Sequence, residues 1–161
     1  MKGLVFREKP RGLLRTLFRL PTYLYRMDLG WLLGRRFLMV THRGRKSGLL
    51  HHTVLEVLQY DPKMQESIVL AALGERADWY RNIQTNSPLQ VQTGRLRYVP
   101  QYRLLTPEEA YRVWSDFEES HPFEARVASW VLGWKYDGTP AGREMLAHTL
   151  RLVAFRPGAV R

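Results

Sequence analysis

The 161-residue chain contains no cysteine, which excludes disulfides, thiolate metal ligands and a cysteine nucleophile and leaves the compartment unmarked by redox chemistry. No apolar run approaches the ~18–20 residues that a membrane-spanning helix needs. The basic N-terminus has no clean apolar stretch followed by a small-residue cleavage site, so no signal peptide is expected. There is no H-E-x-x-H, and the neighbours His51 and His52 point to opposite faces of a strand, so no metal site is expected. No G-x-S-x-G elbow occurs, and Gly44 to Ser47 ends in Lys-Ser without the spacing of a P-loop. Glu118 and Glu119 diverge on a helix and read as a solvated face. A chain so short of catalytic apparatus needs a bound cofactor if it is an enzyme.

Acidic residues are scarce in one region only. Residues 1–52 carry 12 of the 25 Lys and Arg against Glu8 and Asp28, an excess of ten, whereas the remaining 109 residues carry 13 of each sign. The whole formal charge of +10 therefore arises in the first third, which should attract an anionic cofactor, a membrane surface or nucleic acid. No nucleic-acid reading motif accompanies it, which disfavours the last of these.

Within that third lies the stretch Arg43-Gly44-Arg45-Lys46-Ser47-Gly48, between strand-like runs over 36–41 and 50–58. Two glycines four positions apart enclose two cations and a hydroxyl. Glycine permits positive φ and close approach of backbone N–H groups, and successive N–H groups in such a turn can form an anion-binding nest. The same pattern also suits a basic hairpin turn with no ligand.

The rest of the chain reads as one domain, 1–161. Pro10 to about Met27 has leucines at helical spacing and a separate track of Arg11, Arg15, Arg19 and Arg26, interrupted by Pro21. This basic amphipathic helix, within residues 1–28, either docks on the protein body or lies on an anionic membrane through residues 10–27. A barrel is expected over 35–156. Tyr60 to Lys63 is a turn, and Ser67 to Ala72 a buried strand ending at Leu73-Gly74. Asp78 is read as the N-cap of a short helix with Trp79 and Ile83 on its core face and Asn82 on the border. Leu89–Thr93 and Leu96–Leu105 form a hairpin about Gly94-Arg95. Thr106-Pro107 with Glu109 opens a helix whose buried stripe is Ala110, Val113, Trp114 and Phe117. A second helix runs from about Phe123 to Leu132, followed by an aromatic loop to Pro140 and a closing strand from Leu150 to Phe155. Six strands in antiparallel hairpins with flanking helices give an α+β class with a mainly β core, a small barrel.

Thr41-His42-Arg43-Gly44-Arg45-Lys46-Ser47-Gly48, then Ala71-Ala72-Leu73-Gly74, Trp79-Tyr80-Arg81-Asn82, Asn86-Ser87-Pro88 and Val91-Gln92, resemble the deazaflavin-dependent nitroreductase family over about residues 35–120. The resemblance implies a six-stranded antiparallel split β-barrel and coenzyme F420 as cofactor, with FMN as the alternative. It implies that Gly44, Arg45, Lys46, Ser47 and Gly48 hold the cofactor's phosphate-bearing tail. His51 stands where family members carry Arg. Ala71, Ala72, Gly74, Trp79 and Asn82 would border the ring, although Ala72-Leu73 lacks the serine hydroxyl common there. Tyr136 is the proton donor that the aromatic loop offers.

Two functions follow as expectations. The first is an F420-dependent oxidoreductase passing a hydride to a small electron-poor acceptor such as a quinone, enone or nitro compound. The alternative is a non-catalytic flavin-, deazaflavin- or lipid-binding protein at a membrane surface. The expected location is cytoplasmic, with peripheral association on the inner face of the membrane, and self-association is left open.

Overall fold

The computed structural model describes residues 21, 23–27 and 29–158. Its core is one antiparallel sheet of seven strands in the order β5-β4-β1-β2-β3-β7-β6. These are β1 (Phe37–Arg43), β2 (Leu50–Asp61), β3 (Glu66–Leu70), β4 (Gln90–Thr93), β5 (Leu96–Tyr98), β6 (Pro100–Leu104) and β7 (Leu152–Pro157). The two edge strands, β5 and β6, are consecutive in the chain and separated by Val99 alone. The sheet thus curls into a barrel whose edges meet covalently at that residue, where the Gly158 N–H donates to the Val99 carbonyl at 2.9 Å.

The expected six strands become seven because the run 96–105 is broken at Pro100. Proline has no N–H to continue a ladder, and the segment beyond it leaves β4 to pair with β7, Pro100 opposite Pro157. The split of the barrel comes from β2. Residues 50–56 pair with β1, whereas residues 57–61 pair with β3, with a register shift between Val57 and Gln59. β2 therefore changes partner half-way along its length.

Alternation on β3 and β7 sorts the core into two layers. Val69, Val153 and Phe155 face the barrel interior with Leu38, Val40 and Val91, whereas Ile68, Leu152 and Ala154 face a helical layer. Strands buried on both faces are largely apolar throughout, which is why 68–71 reads as an uninterrupted apolar run after Ser67. α1 (Asp78–Thr85) plugs the barrel with Trp79, Tyr80 and Ile83. α2 (Pro107–Ser120) lays Ala110, Val113, Trp114 and Phe117 on the outer face. Its start is a complete capping box: the Glu109 N–H donates to Thr106 Oγ1 and the Thr106 N–H to Glu109 Oε2, a motif in which the cap alone contributes ~1 kcal/mol. α3 (Pro122–Val131) and α4 (Pro140–Thr149) complete that layer.

Two expectations need correction. Asp78 is the first helical residue rather than the N-cap, which is Ala77 with no side-chain cap. The closing strand, expected from Leu150, begins at Leu152, and residues 141–149, to which the sequence assigned no element, form α4 with Pro140, opened by Thr139 Oγ1 accepting from the Gly142 N–H. Most of the expected N-terminal helix lies outside the described residues. Residues 23–26 are helical, and Tyr25 is 3 % exposed, with its hydroxyl donating to the Phe37 carbonyl at 2.8 Å. A boundary at residue 28 therefore cuts into the barrel's own packing. No described helix is long and apolar enough to cross a membrane.

Candidate functional site

The turn between β1 and β2 is closed by its own backbone. The Gly44 N–H donates to the Leu49 carbonyl and the Gly48 N–H to the Gly44 carbonyl, both at 2.8 Å. Gly48 holds φ +68°, a left-handed conformation that favours glycine. A Cβ at Gly44 would lie 2.5 Å from Ser47 Oγ and 3.0 Å from His51 Nε2, so a side chain there would displace Ser47 and His51 from their places in the turn.

What fixes the turn to the barrel is Asn82. Its side chain is 4 % exposed. Asn82 Oδ1 accepts from the Arg45 backbone N–H at 3.1 Å and from Arg45 Nη1 at 2.9 Å. That orientation turns the amide Nδ2 toward His42 Nδ1, 3.2 Å away. Nδ1 must then be the acceptor, so the imidazole proton sits on Nε2 and is donated to Thr53 Oγ1 at 3.0 Å. His42 is 2 % exposed, and its pKa is pushed down to about 4 by burial first, then by His51 and His52. His51 stacks on it with ring centroids 5.7 Å apart. Arg45 bends back onto Asn82 and Asp78, whereas Lys46, Ser47 and Arg43 are exposed.

The other end of β2 borders a cavity of about 510 Å³. Its walls come from β1 and β2 (Phe37, Val54, Leu55), the end of β3 (Leu70, Ala72), α2 (Trp114, Phe117) and α3 (Phe123, Val127, Val131). The charged groups at its lining are Arg36, Glu56 and Glu124. Between turn and cavity runs an open strand edge. The Val57 N–H donates to the Arg36 carbonyl, so by alternation the backbone groups of Leu50, His52, Val54 and Glu56 point away from β1. Among the described residues no strand pairs with that edge, because β3 stops at Leu70.

The structure thus separates the expected site residues into groups. Gly44, Arg45, Lys46, Ser47, Gly48 and His51 meet at the turn, joined there by Asn82. Ala72 is exposed and lines the cavity, whereas Ala71 is buried, its N–H bonded to the Arg151 carbonyl. Gly74 (φ +56°) turns the chain from β3 toward α1. Trp79 is core, packed against Tyr80 and Phe155. Tyr136 stands apart from the cavity: its hydroxyl donates to Glu118 Oε2 at 2.7 Å, and burial together with that bond pushes its pKa up to about 12. Sequence reasoning missed His42, Arg36, Glu56 and the α3 wall. The alternation around His42 was visible; the cavity, drawn from five separate elements, was not.

A family model described as F420H(2)-dependent quinone reductase matches residues 17–131. The chain belongs to that family. It is accordingly an oxidoreductase that uses coenzyme F420. Solved structures agree in fold. One is an F420-H2 dependent reductase, FDR-A, at 19 % identity and TM-score 0.50, aligned over 76 % of this chain and 96 % of that one. Another is a protein of unknown function from Agrobacterium tumefaciens, at 15 % identity and TM-score 0.51, aligned over 98 % of this chain and 60 % of that one. No curated protein matches the chain.

The residues present in this F420H(2)-dependent quinone reductase family member fit such a cofactor. An anionic tail needs exposed donors, which the turn offers at the side chains of Arg43, Lys46 and Ser47, while the backbone N–H groups of Gly44, Arg45, Gly48 and Leu49 are bonded within the protein. A flat ring needs an apolar wall with an open backbone edge, which β2 and Ala72 offer.

Two predictions follow from the Asn82 tie. Asn82→Ala should destabilise the empty protein by ~1–3 kcal/mol in urea denaturation, because it orphans the buried Arg45 N–H and His42 Nδ1; an unchanged midpoint would remove the tie from the account. His42 titrates with the opposite sign from a paired histidine. Its folded pKa of about 4 lies below the ordinary 6.5, so the stability it contributes is complete above pH 6.5 and is lost as pH falls toward 4. The loss should amount to roughly 1–3 kcal/mol. Melting curves of the wild type and of His42→Asn between those pH values should show the wild-type slope reduced in the variant; parallel curves would refute it.

Proposed function

We propose that this F420-dependent reductase passes its hydride to an electron-poor, largely apolar acceptor of the quinone type, seated in the cavity between β2 and α3. The observation that carries the reading is the arrangement of β2 itself. A cationic turn stands at one end and an apolar cavity at the other, Leu50 lying roughly 13 Å from Val54 and 20 Å from Glu56 at ~3.3 Å per residue. An elongated cofactor with a flat ring and an anionic tail suits that span.

Bound there, reduced F420 supplies the hydride. The chain supplies everything else. Lys46 and Arg43 draw the anionic tail to the turn, and Asn82 holds the turn in place. The open edge of β2 offers backbone donors and acceptors. Val54, Leu70, Phe117 and Val127 exclude water, which strengthens any polar contact made inside. Arg36 is the cation beside the acceptor. A nitro compound or enone would make the same demands on the pocket, but the family's description favours a quinone.

A peripheral membrane location on the cytoplasmic side is the accompanying proposal. Its support is the arginine track of residues 10–27 together with Phe123, Val127 and Trp130, exposed at 77, 41 and 80 % on successive turns of α3. Such a surface would bring a lipid-soluble acceptor to the cavity mouth.

Lys46→Ala should weaken F420 binding by ~1.5–3 kcal/mol, the range of a charge-assisted contact to phosphate. Calorimetry with an affinity unchanged within error would defeat the tail assignment. Folded stability should move by less than ~0.5 kcal/mol, since Lys46 is exposed. Replacing Arg11, Arg15, Arg19 and Arg26 together by Gln should weaken sedimentation with phosphatidylserine vesicles by up to ~1 kcal/mol per residue while leaving F420 affinity intact. Equal sedimentation of both proteins would dispose of the membrane proposal.

A further inference from the structure

The cavity holds no described tyrosine or histidine, yet reducing a quinone there needs a proton as well as a hydride. Its titratable side chains form one cluster. Arg36 Nη2 lies 2.6 Å from Glu124 Oε1 and 3.5 Å from Glu56 Oε1. One guanidinium therefore serves two carboxylates, and with both ionised the cluster carries a net negative charge against an apolar wall. That arrangement favours a shared proton. Glu124 has the short ion pair, so Glu56 is the partner that more readily takes the proton.

We propose that Glu56 is the proton donor to the acceptor in this cavity, with Arg36 positioning it and Glu124 holding Arg36. The inference rests on the quinone reading above. As the acceptor receives a hydride, with its two electrons, from reduced F420, the O–H bond of Glu56 breaks and a new O–H bond forms on the acceptor oxygen, giving the hydroquinone. The Glu56 carboxylate left behind faces Arg36. Its side chain is 42 % exposed, so it regains a proton from solvent between turnovers. The electrostatics agree: the cavity wall, which covers the part of the Glu56 side chain that solvent does not, raises its carboxyl above the ordinary value, the carboxylate of Glu124 adds to this, and Arg36 and His121 act in the opposite direction.

Glu56→Gln keeps the shape and removes the acid. With F420H2 and menadione, its kcat should fall by roughly 10²-fold, with KM within about twofold and the alkaline limb of the wild-type pH profile abolished. Independently of turnover, infrared titration of the empty wild-type protein should show a protonated carboxyl persisting above the ordinary glutamate range and missing from Glu56→Gln. A variant that keeps both kcat and the alkaline limb, or a wild type with no such carboxyl band, overturns the donor role. Turnover in the wild type with an unchanged variant overturns that role alone. A wild type that binds F420H2 but reduces no menadione overturns the quinone reading, and the donor role with it.

Discussion

The molecule depends on one strand having two partners. β2 is twelve residues long, about twice the usual strand, and neither neighbour covers it fully. β1 takes residues 50–56 and β3 takes 57–61. A strand paired on both edges along its length would give a closed sheet with no room for a ligand. The exchange of partners leaves the edge of residues 50–56 open on the side away from β1. Unpaired backbone groups buried without partners would be costly, so that edge is stable only where water or a ligand can reach it. The open edge and its backbone groups thus follow from where β3 stops along β2.

An open edge next to a flexible basic turn would still be a poor site, because the ligand would have to order the turn as it bound. Asn82 removes that cost. It accepts from the Arg45 backbone while donating to His42, which in turn donates to Thr53. α1 is thereby tied to β1, β2 and the turn between them, and α1 is itself anchored by Trp79 and Ile83 in the barrel interior. The chain of bonds tolerates only one tautomer of His42 and one orientation of the amide, and it is buried, so each missing bond costs more than it would in water. In the reading proposed above, Asn82 would bear on the ligand through the turn, whereas the family resemblance placed it at the border of the ring.

Much of this was legible in the residues, for identifiable reasons. The strands announced themselves through β-branched alternation, and the α2 start through Thr106, Pro107 and Glu109. The stripe Ala110, Val113, Trp114 and Phe117 lies where its helical period puts it. Thr139-Pro140 repeats the Thr106-Pro107 signal, but α4 buries only Leu146 and Ala147, too weak a stripe to mark a helix by period. The break at Pro100 could have been read from the missing N–H; the departure of β6 to the opposite edge of the sheet could not, because it is decided by pairing with residues 49 to 57 positions away. The Asn82 tie likewise joins residues 37 and 40 positions apart. Tyr136 was chosen for its chemistry alone, and packing against Trp114 with its hydroxyl on Glu118 carries it away from the cavity.

Charge then divides the cleft into unlike halves. Several cations of the basic first third are engaged within the protein. Arg36 is held by Glu124 and Glu56, Arg35 lies over the Tyr60 ring at 4.4 Å, and Arg45 is held by Asn82 and Asp78. Asp78 is 82 % exposed, so its pair with Arg45 adds little energy; the amide bond is what fixes the guanidinium. Beside the cavity, Arg36 has two carboxylates within ion-pair distance, where an unpaired charge against an apolar wall would be costly. At the turn, Lys46 and Arg43, whose Nη1 donates to the Gly48 carbonyl, are exposed and make no ion pair among the described residues, so an arriving anion meets them first. The positive excess of the sequence is therefore spent unevenly. Under the reading proposed above, the exposed cations of the turn would receive the anionic end of an elongated ligand and the cavity its apolar end, which would set the ligand's direction along β2.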